Sequence, residues 1–179
     1  MIRLLLLRHA KSDWSDAGLD DRDRPLSKRG RESAPVIAGY MRERELAPDL
    51  VLSSPATRTR QTLSLVLDKL GRSPEIVFDE ALYDFGSGVR LLEAITEHGG
   101  DAKTLMLVGH NPAVQQLASM LAGTGEPELM AAMERKFPTA ALAVIDFEAK
   151  AWSAIKPGKG TLAAFVTPKV WRRTGDPGS

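Results

Sequence analysis

The 179-residue sequence contains no cysteine. That removes disulfides, thiol nucleophiles and thiolate metal sites, and it suits a reducing interior. No apolar run approaches the ~20 residues needed to cross a bilayer. The N-terminus also lacks the form of a secretory leader, because Arg8, His9 and Lys11 interrupt the opening apolar run. A cytoplasmic location is the expectation. Neither sign of charge is in surplus: 24 Lys and Arg stand against 23 Asp and Glu, so no extended nucleic-acid or membrane footprint is expected. Internal repeats and an evident linker are missing too. The chain therefore reads as one domain over residues 1–173, followed by a disordered tail at 174–179.

What is present is an alternation of apolar runs and amphipathic segments. Ile2 to Leu7 is a short apolar run, as in a strand buried on both faces of a parallel sheet, and it stops at Arg8-His9. After a polar loop, Ser27 predicts the N-cap of a helix over Lys28–Arg44, with Pro35 inside it. A strand at Asp49–Leu52 leads to Ser53-Ser54-Pro55, read as an N-cap with proline at the first helical position, and a helix to about Leu70. A strand at Glu75–Phe78, an acidic and aromatic loop at Asp79–Gly88 and a helix at Val89–Glu97 follow. The apolar run Thr104–Val108 closes on Gly109-His110-Asn111-Pro112, where Asn111 predicts an N-cap for a helix to about Ala122.

Past a looser stretch, Gly123–Pro138, the pattern changes to period two. Strands are expected at Ala141–Phe147, Ala151–Lys156 and Thr161–Val166, joined by turns short enough for antiparallel pairing. The expected architecture is a three-layer α/β/α sandwich with a mostly parallel central sheet and antiparallel C-terminal strands.

In open α/β sheets ligands bind at the carboxyl ends of the strands. Three such ends carry Arg8-His9, Arg58 and His110. Two arginines can grip phosphate oxygens bidentately. Of two imidazoles, one can attack phosphorus while the other donates to an oxygen as charge develops. Cationic donors aimed at a transferring phosphoryl group can stand in for a metal, so neither metal nor cofactor is expected. His98, just before Gly99-Gly100, reads as a capping or surface histidine. Asp13, Asp20, Asp21 and Asp23 lack the spacing of a metal loop. Gly86-Ser87-Gly88 and Gly158-Lys159-Gly160 miss the dinucleotide and P-loop patterns, and Trp14, Trp152 and Trp171 read as packing residues.

Four segments in order, LLLRHAKSDW, DRPLSKRG, LVLSSPATRTRQT and LMLVGHNP, resemble the histidine phosphatase (phosphoglycerate-mutase-like) superfamily. The short SixA-type phosphohistidine phosphatases are the most similar branch. The resemblance runs from residue 1 to about 145 and includes the strand TAALAV. It implies a phosphoglycerate-mutase-like fold and a phosphatase acting in two steps. His9 would become transiently phosphorylated, Arg8 and Arg58 would clamp the phosphate, and His110 would bracket it. Ser15, six residues after His9, would add a polar contact. Arg60, two residues from Arg58 on a helix, faces elsewhere and reads from that spacing as a rim charge for recognition, and Asn111 is the remaining substrate-binding candidate. Ala10 departs from the glycine that usually follows Arg-His in the wider superfamily.

The proton donor has no clean match: Asp84 and Glu80, in EALYDFG, are the candidates, with solvated loop acids as the plain alternative. A general acid is worth about 10²–10⁴ in rate, and imidazole leaves far more readily than an alkoxide. The expected function is thus metal-independent hydrolysis of phosphohistidine on a protein, of the histidine phosphotransfer or phosphocarrier type. A phosphatase of small phosphomonoesters (sugar phosphate or phosphoserine) and a phosphate-binding module without turnover are the alternatives.

Overall fold

In the computed structural model, which describes residues 1–174, the opening apolar run forms β1 (Ile2–Arg8), with Leu4 to Leu7 all fully buried. A polar loop leads to α1 (Lys28–Glu43), where the Ser27 side chain accepts the Gly30 N–H at 3.2 Å as the expected N-cap. Pro35 lies inside this helix without ending it. β2 (Leu50–Ser53) and α2 (Thr57–Leu70) repeat the unit, followed by β3 (Glu75–Phe78), α3 (Val89–His98), β4 (Thr104–Gly109) and α4 (Ala113–Leu121). The remaining elements are β5 (Ala122–Gly125), α5 (Pro127–Arg135), β6 (Leu142–Phe147), β7 (Gly160–Val166) and α6 (Pro168–Thr174).

The sheet has seven strands in the order β3-β2-β4-β1-β6-β7-β5. β1 pairs parallel with β4 and antiparallel with β6, so the parallel half and the C-terminal half meet at the first strand. Alternate residues of β1 serve different layers. Leu4 and Leu6 join a core with α3, α4 and α5, whereas Leu5 and Leu7 pack with α1 and α2. The fold is the expected three-layer α/β arrangement with a mixed sheet.

Several expectations need correction. Ala151–Lys156 is no strand: Trp152–Ala154 forms a single 3-10 turn. Trp152 is buried in the core, against the bare Cα of Gly99, with its indole N–H donating to the Ala102 carbonyl at 2.8 Å. Tertiary packing of one large side chain outweighs the local alternation. The stretch 123–138 is not loose either, since it holds most of β5, paired parallel with β7, and all of α5. α6, also unforeseen, docks Trp171 edge-on against Tyr40 of α1. α2 starts at Thr57 with Ala56 as its N-cap, and α4 starts at Ala113 after Pro112. Ser54 and Asn111 thereby leave capping for other bonds. Of the tail expected at 174–179, Thr174 closes α6 and the rest lies outside the described residues.

Candidate active site

The parallel strands deliver their carboxyl ends to one edge. Arg8 closes β1, and its Nη1 donates to the Phe137 carbonyl at 2.8 Å. The Ala140 N–H, in a left-handed backbone at φ 59°, lies 3.1 Å from the carbonyls of both Arg8 and His9. The segment before β6 thus braces the end of β1. His9 is buried, with Nδ1 2.7 Å from the Ala10 carbonyl. A carbonyl only accepts, so the proton sits on Nδ1 and the lone pair is left on Nε2. Ala10 is itself buried and its N–H donates to Thr62 Oγ1 at 3.0 Å. Alanine fits here without a left-handed backbone.

His110 follows β4 and is fully buried. Its ring centroid lies 5.2 Å from that of His9, 4.9 Å from Phe85 and 5.3 Å from Tyr83. Nε2 is 2.8 Å from Ser54 Oγ, and Nδ1 is buried without a partner among the described residues. When the Ser54 hydroxyl donates to Nε2, the proton lies on Nδ1 and awaits an acceptor. Arg58, in the first turn of α2, is only 3% exposed. Its guanidinium is held by Asp21, through the backbone carbonyl and, at 2.9 Å, through Oδ2, to which the Tyr83 hydroxyl also donates at 2.6 Å.

Burial dominates the electrostatics. It pushes His9 down from 6.5 to about 4, against the pull of the Ala10 carbonyl, and the cations Arg58 and Arg8 push the same way. His110 falls to about 3, through burial, then His9 and Arg58. Burial also lowers Arg8 from the usual arginine value. The two imidazoles are therefore neutral at pH 7 in the free site, and before an anion arrives its positive charge comes from Arg8 and Arg58. For Asp21, burial alone would raise the carboxyl. Hydrogen bonds from Tyr83 and Arg58, with the Arg58 charge, outweigh it and hold the group low.

The structure brings Arg8, His9, Arg58 and His110 together, and it treats the other candidates differently. Asn111 Nδ2 donates to the same Phe137 carbonyl as Arg8, at 3.0 Å, so the two side chains share one anchor. Ser15 is exposed, and its backbone N–H donates to the Asp13 carboxylate at 2.8 Å. Arg60 stacks over Phe78, its guanidinium carbon 3.8 Å from the ring centre, on the rim. Glu80 is gripped by Arg22, with Nη1 to Oε2 at 2.7 Å, and that bond first and its charge second hold the carboxyl below its usual range. Asp84 accepts the Gly86 N–H at 3.3 Å in a local turn. His98 bonds Asp79 at 3.1 Å. Trp14 is exposed beneath Arg24 rather than packed in the core. Among the described residues, no group of three or more His, Asp or Glu is placed to hold a metal ion.

Four contributors escape sequence reasoning: Ser54, Asp21, Tyr83 and Phe85. Ser54 carries a helix-cap signal that masks its bond to His110, and Asp21 is one of several loop acids. Their partners lie 56 and 37 residues away, beyond any local pattern.

Comparison with known proteins points to one family. The profile of the Histidine phosphatase superfamily (branch 1) matches residues 4–90. An uncharacterised Mycobacterium tuberculosis protein is 37% identical over 165 residues, 91% of this chain and 100% of its own. A crystal structure of a provisionally assigned phosphohistidine phosphatase SixA from Agrobacterium tumefaciens is 34% identical, with a TM-score of 0.77 over 93% of this chain and 98% of that one. A similarly assigned structure from Nakamurella multipartitia is 26% identical, with a TM-score of 0.80 over 93% and 96% of the two chains.

Proposed function

The chain belongs to the histidine phosphatase superfamily, in its SixA-type branch, and from that premise we propose that it hydrolyses phosphohistidine on a protein through a phosphorylated His9. The observation that carries the substrate choice is the state of the acids at the mouth. Glu80 is tied to Arg22 and Asp21 to Arg58 and Tyr83, both held as anions, while Asp84 accepts the Gly86 N–H of its own local turn, so none of the three is set up as a proton donor to an alkoxide at neutral pH. Imidazole is a leaving group that does without such an acid.

In the proposed reaction the His9 Nε2 lone pair attacks phosphorus and the bond from phosphorus to the substrate imidazole breaks. Arg8 and Arg58 hold the equatorial oxygens as charge develops. An arriving phosphoryl dianion offers the buried His110 Nδ1–H its missing acceptor and offsets the burial that keeps this ring neutral. The departing imidazole is protonated from solvent. Water then attacks phospho-His9, releasing inorganic phosphate and restoring the free imidazole. The two guanidinium cations supply the positive charge for which other phosphoryl-transfer sites recruit a metal. A cytoplasmic location, where phosphocarrier and phosphorelay proteins work, fits the absence of cysteine.

The test is phosphate release, in EDTA, from a histidine-phosphorylated carrier protein and from a sugar phosphate at equal concentration. Release from the carrier alone is expected. Comparable release from the sugar phosphate would mean that an unrecognised acid operates, and the small-molecule phosphatase reading would replace this one.

A further inference from the structure

On the β6–β7 side of β1 lies a groove of about 940 Å³ that shares no residue with the four at the site. One wall is α1 and α6, the other is the end of α5, and between them run Pro138 and Thr139 and the end of β7. α1 and α5 pack on opposite faces of the sheet, so the groove crosses the sheet edge. It is the edge that carries the site. Lys136 and Pro138 flank Phe137, whose carbonyl anchors Arg8, and the Gly30 turn beside Arg29 packs directly on the Lys11 carbonyl, two residues past His9.

Six cations line this groove: Arg29, Arg135, Lys136, Lys169, Arg172 and Arg173. No Asp or Glu lines it, and none of the six is in an ion pair among the described residues. Glu32 and Glu134 sit nearby on α1 and α5 but outside the lining. The whole chain is almost neutral, and setting these six aside leaves 18 basic residues against 23 acidic ones. The positive charge is therefore concentrated here rather than spread. One phosphate needs two or three donors and already has them at the site, so the groove fits further negative charge on the same substrate.

The lining also holds Leu129, Phe165 and Val170, which points to a partner with an apolar side. Base stacking is a poor match, because Phe165 is already engaged by Phe137, ring centres 5.1 Å apart and steeply tilted.

We propose that this groove docks an acidic amphipathic helix of the substrate protein, placing its phosphorylated side chain at His9. The proposal rests on the phosphoprotein reading above. The test uses the full chain and the surface variant Lys169→Glu/Arg172→Glu/Arg173→Glu, none of whose positions belongs to the catalytic set, with circular dichroism to confirm folding. Binding is read by anisotropy with a labelled helical peptide bearing glutamate and leucine on opposite faces, its glutamine counterpart and a single-stranded oligonucleotide. Turnover is read with a histidine-phosphorylated phosphotransfer domain and with phosphoramidate.

Peptide binding should weaken with salt and fall roughly tenfold or more in the variant and in the glutamine peptide. The kcat/KM for the phosphorylated domain should fall alongside, with phosphoramidate turnover unchanged. Equal peptide binding by the two proteins would overturn the proposal, as would tighter binding of the oligonucleotide. An equal loss on both phosphorylated substrates would also overturn it, since the substitutions would then act on the site. Peptide binding lost in the variant, with no turnover of the phosphorylated domain by the wild type, would support the groove and refute the phosphohistidine reading.

Discussion

At the scale of single residues, the site is a set of neutral nitrogens next to permanent cations. His9 presents Nε2 because its other nitrogen is committed to the Ala10 carbonyl. His9→Gln should lower turnover by about 10⁴–10⁶-fold, as removal of a nucleophile does, while the fold survives. Phosphate-release assays and circular dichroism check the two halves, and substantial residual turnover would sink the covalent route. Arg58 is already bound to Asp21, so a phosphate binding as proposed would compete with a carboxylate. Asp21→Asn keeps the shape and removes the charge. It should tighten inhibition by inorganic phosphate roughly fivefold, the scale of one partly exposed ion pair. Unchanged or weaker inhibition would mean that Asp21 mainly positions Arg58.

At the scale of elements, the N-terminus of α1 is tied to the loop that follows His9. A Cβ added at Gly30 would run into the Lys11 backbone carbonyl, and neither the capped helix turn nor the Lys11 peptide can yield without moving the other. Gly30→Ala should destabilise the protein by about 1–3 kcal/mol in urea unfolding, the range for overpacking. It should also lower kcat, because Lys11 lies two residues from His9, the proposed nucleophile. A variant as stable and as active as wild type would show that this contact relaxes freely. On the other side of β1, the Phe137 carbonyl takes N–H groups from both Arg8 and Asn111, so one peptide unit before β6 holds side chains from the end of β1 and from the turn after β4.

At the scale of the whole molecule, burial of two histidines couples stability to pH. Both titrate lower in the folded protein than the ordinary 6.5, His9 at about 4 and His110 at about 3. Between those values and 6.5 the unfolded chain binds more protons than the folded one, so stability is complete above about pH 6.5 and is lost as pH falls. At about 1.4 kcal/mol per pKa unit, His9 alone accounts for about 3 kcal/mol by pH 4. Urea midpoints should therefore decline from pH 7 to pH 4, and His9→Gln should flatten that decline. A profile identical in the variant would assign the acid sensitivity to His110 or to carboxylates instead. Among the described residues no helix is long and apolar enough to cross a membrane.

Six of the seven strands, their order of succession and the residues at the ends of the parallel ones were legible in the amino-acid sequence, because each is encoded within a few positions; β5 was not, and Ala151–Lys156 was read as a strand it does not form. A strand buried on both faces needs a continuous apolar run, as at Leu4–Leu7, and a helix start needs a short polar cap, as at Ser27. Arg8, His9, Arg58 and His110 were legible because each follows such a run. What only the tertiary structure decided depends on residues far apart in the chain. Asp21 occupies Arg58 across 37 positions, Ser54 meets His110 across 56, and Arg8 is anchored on Phe137 across 129. Trp152 turned an expected strand into a single turn by finding Gly99. The protonation state of the histidines was decided there too, since desolvation is a property of the packed interior and no local pattern carries it.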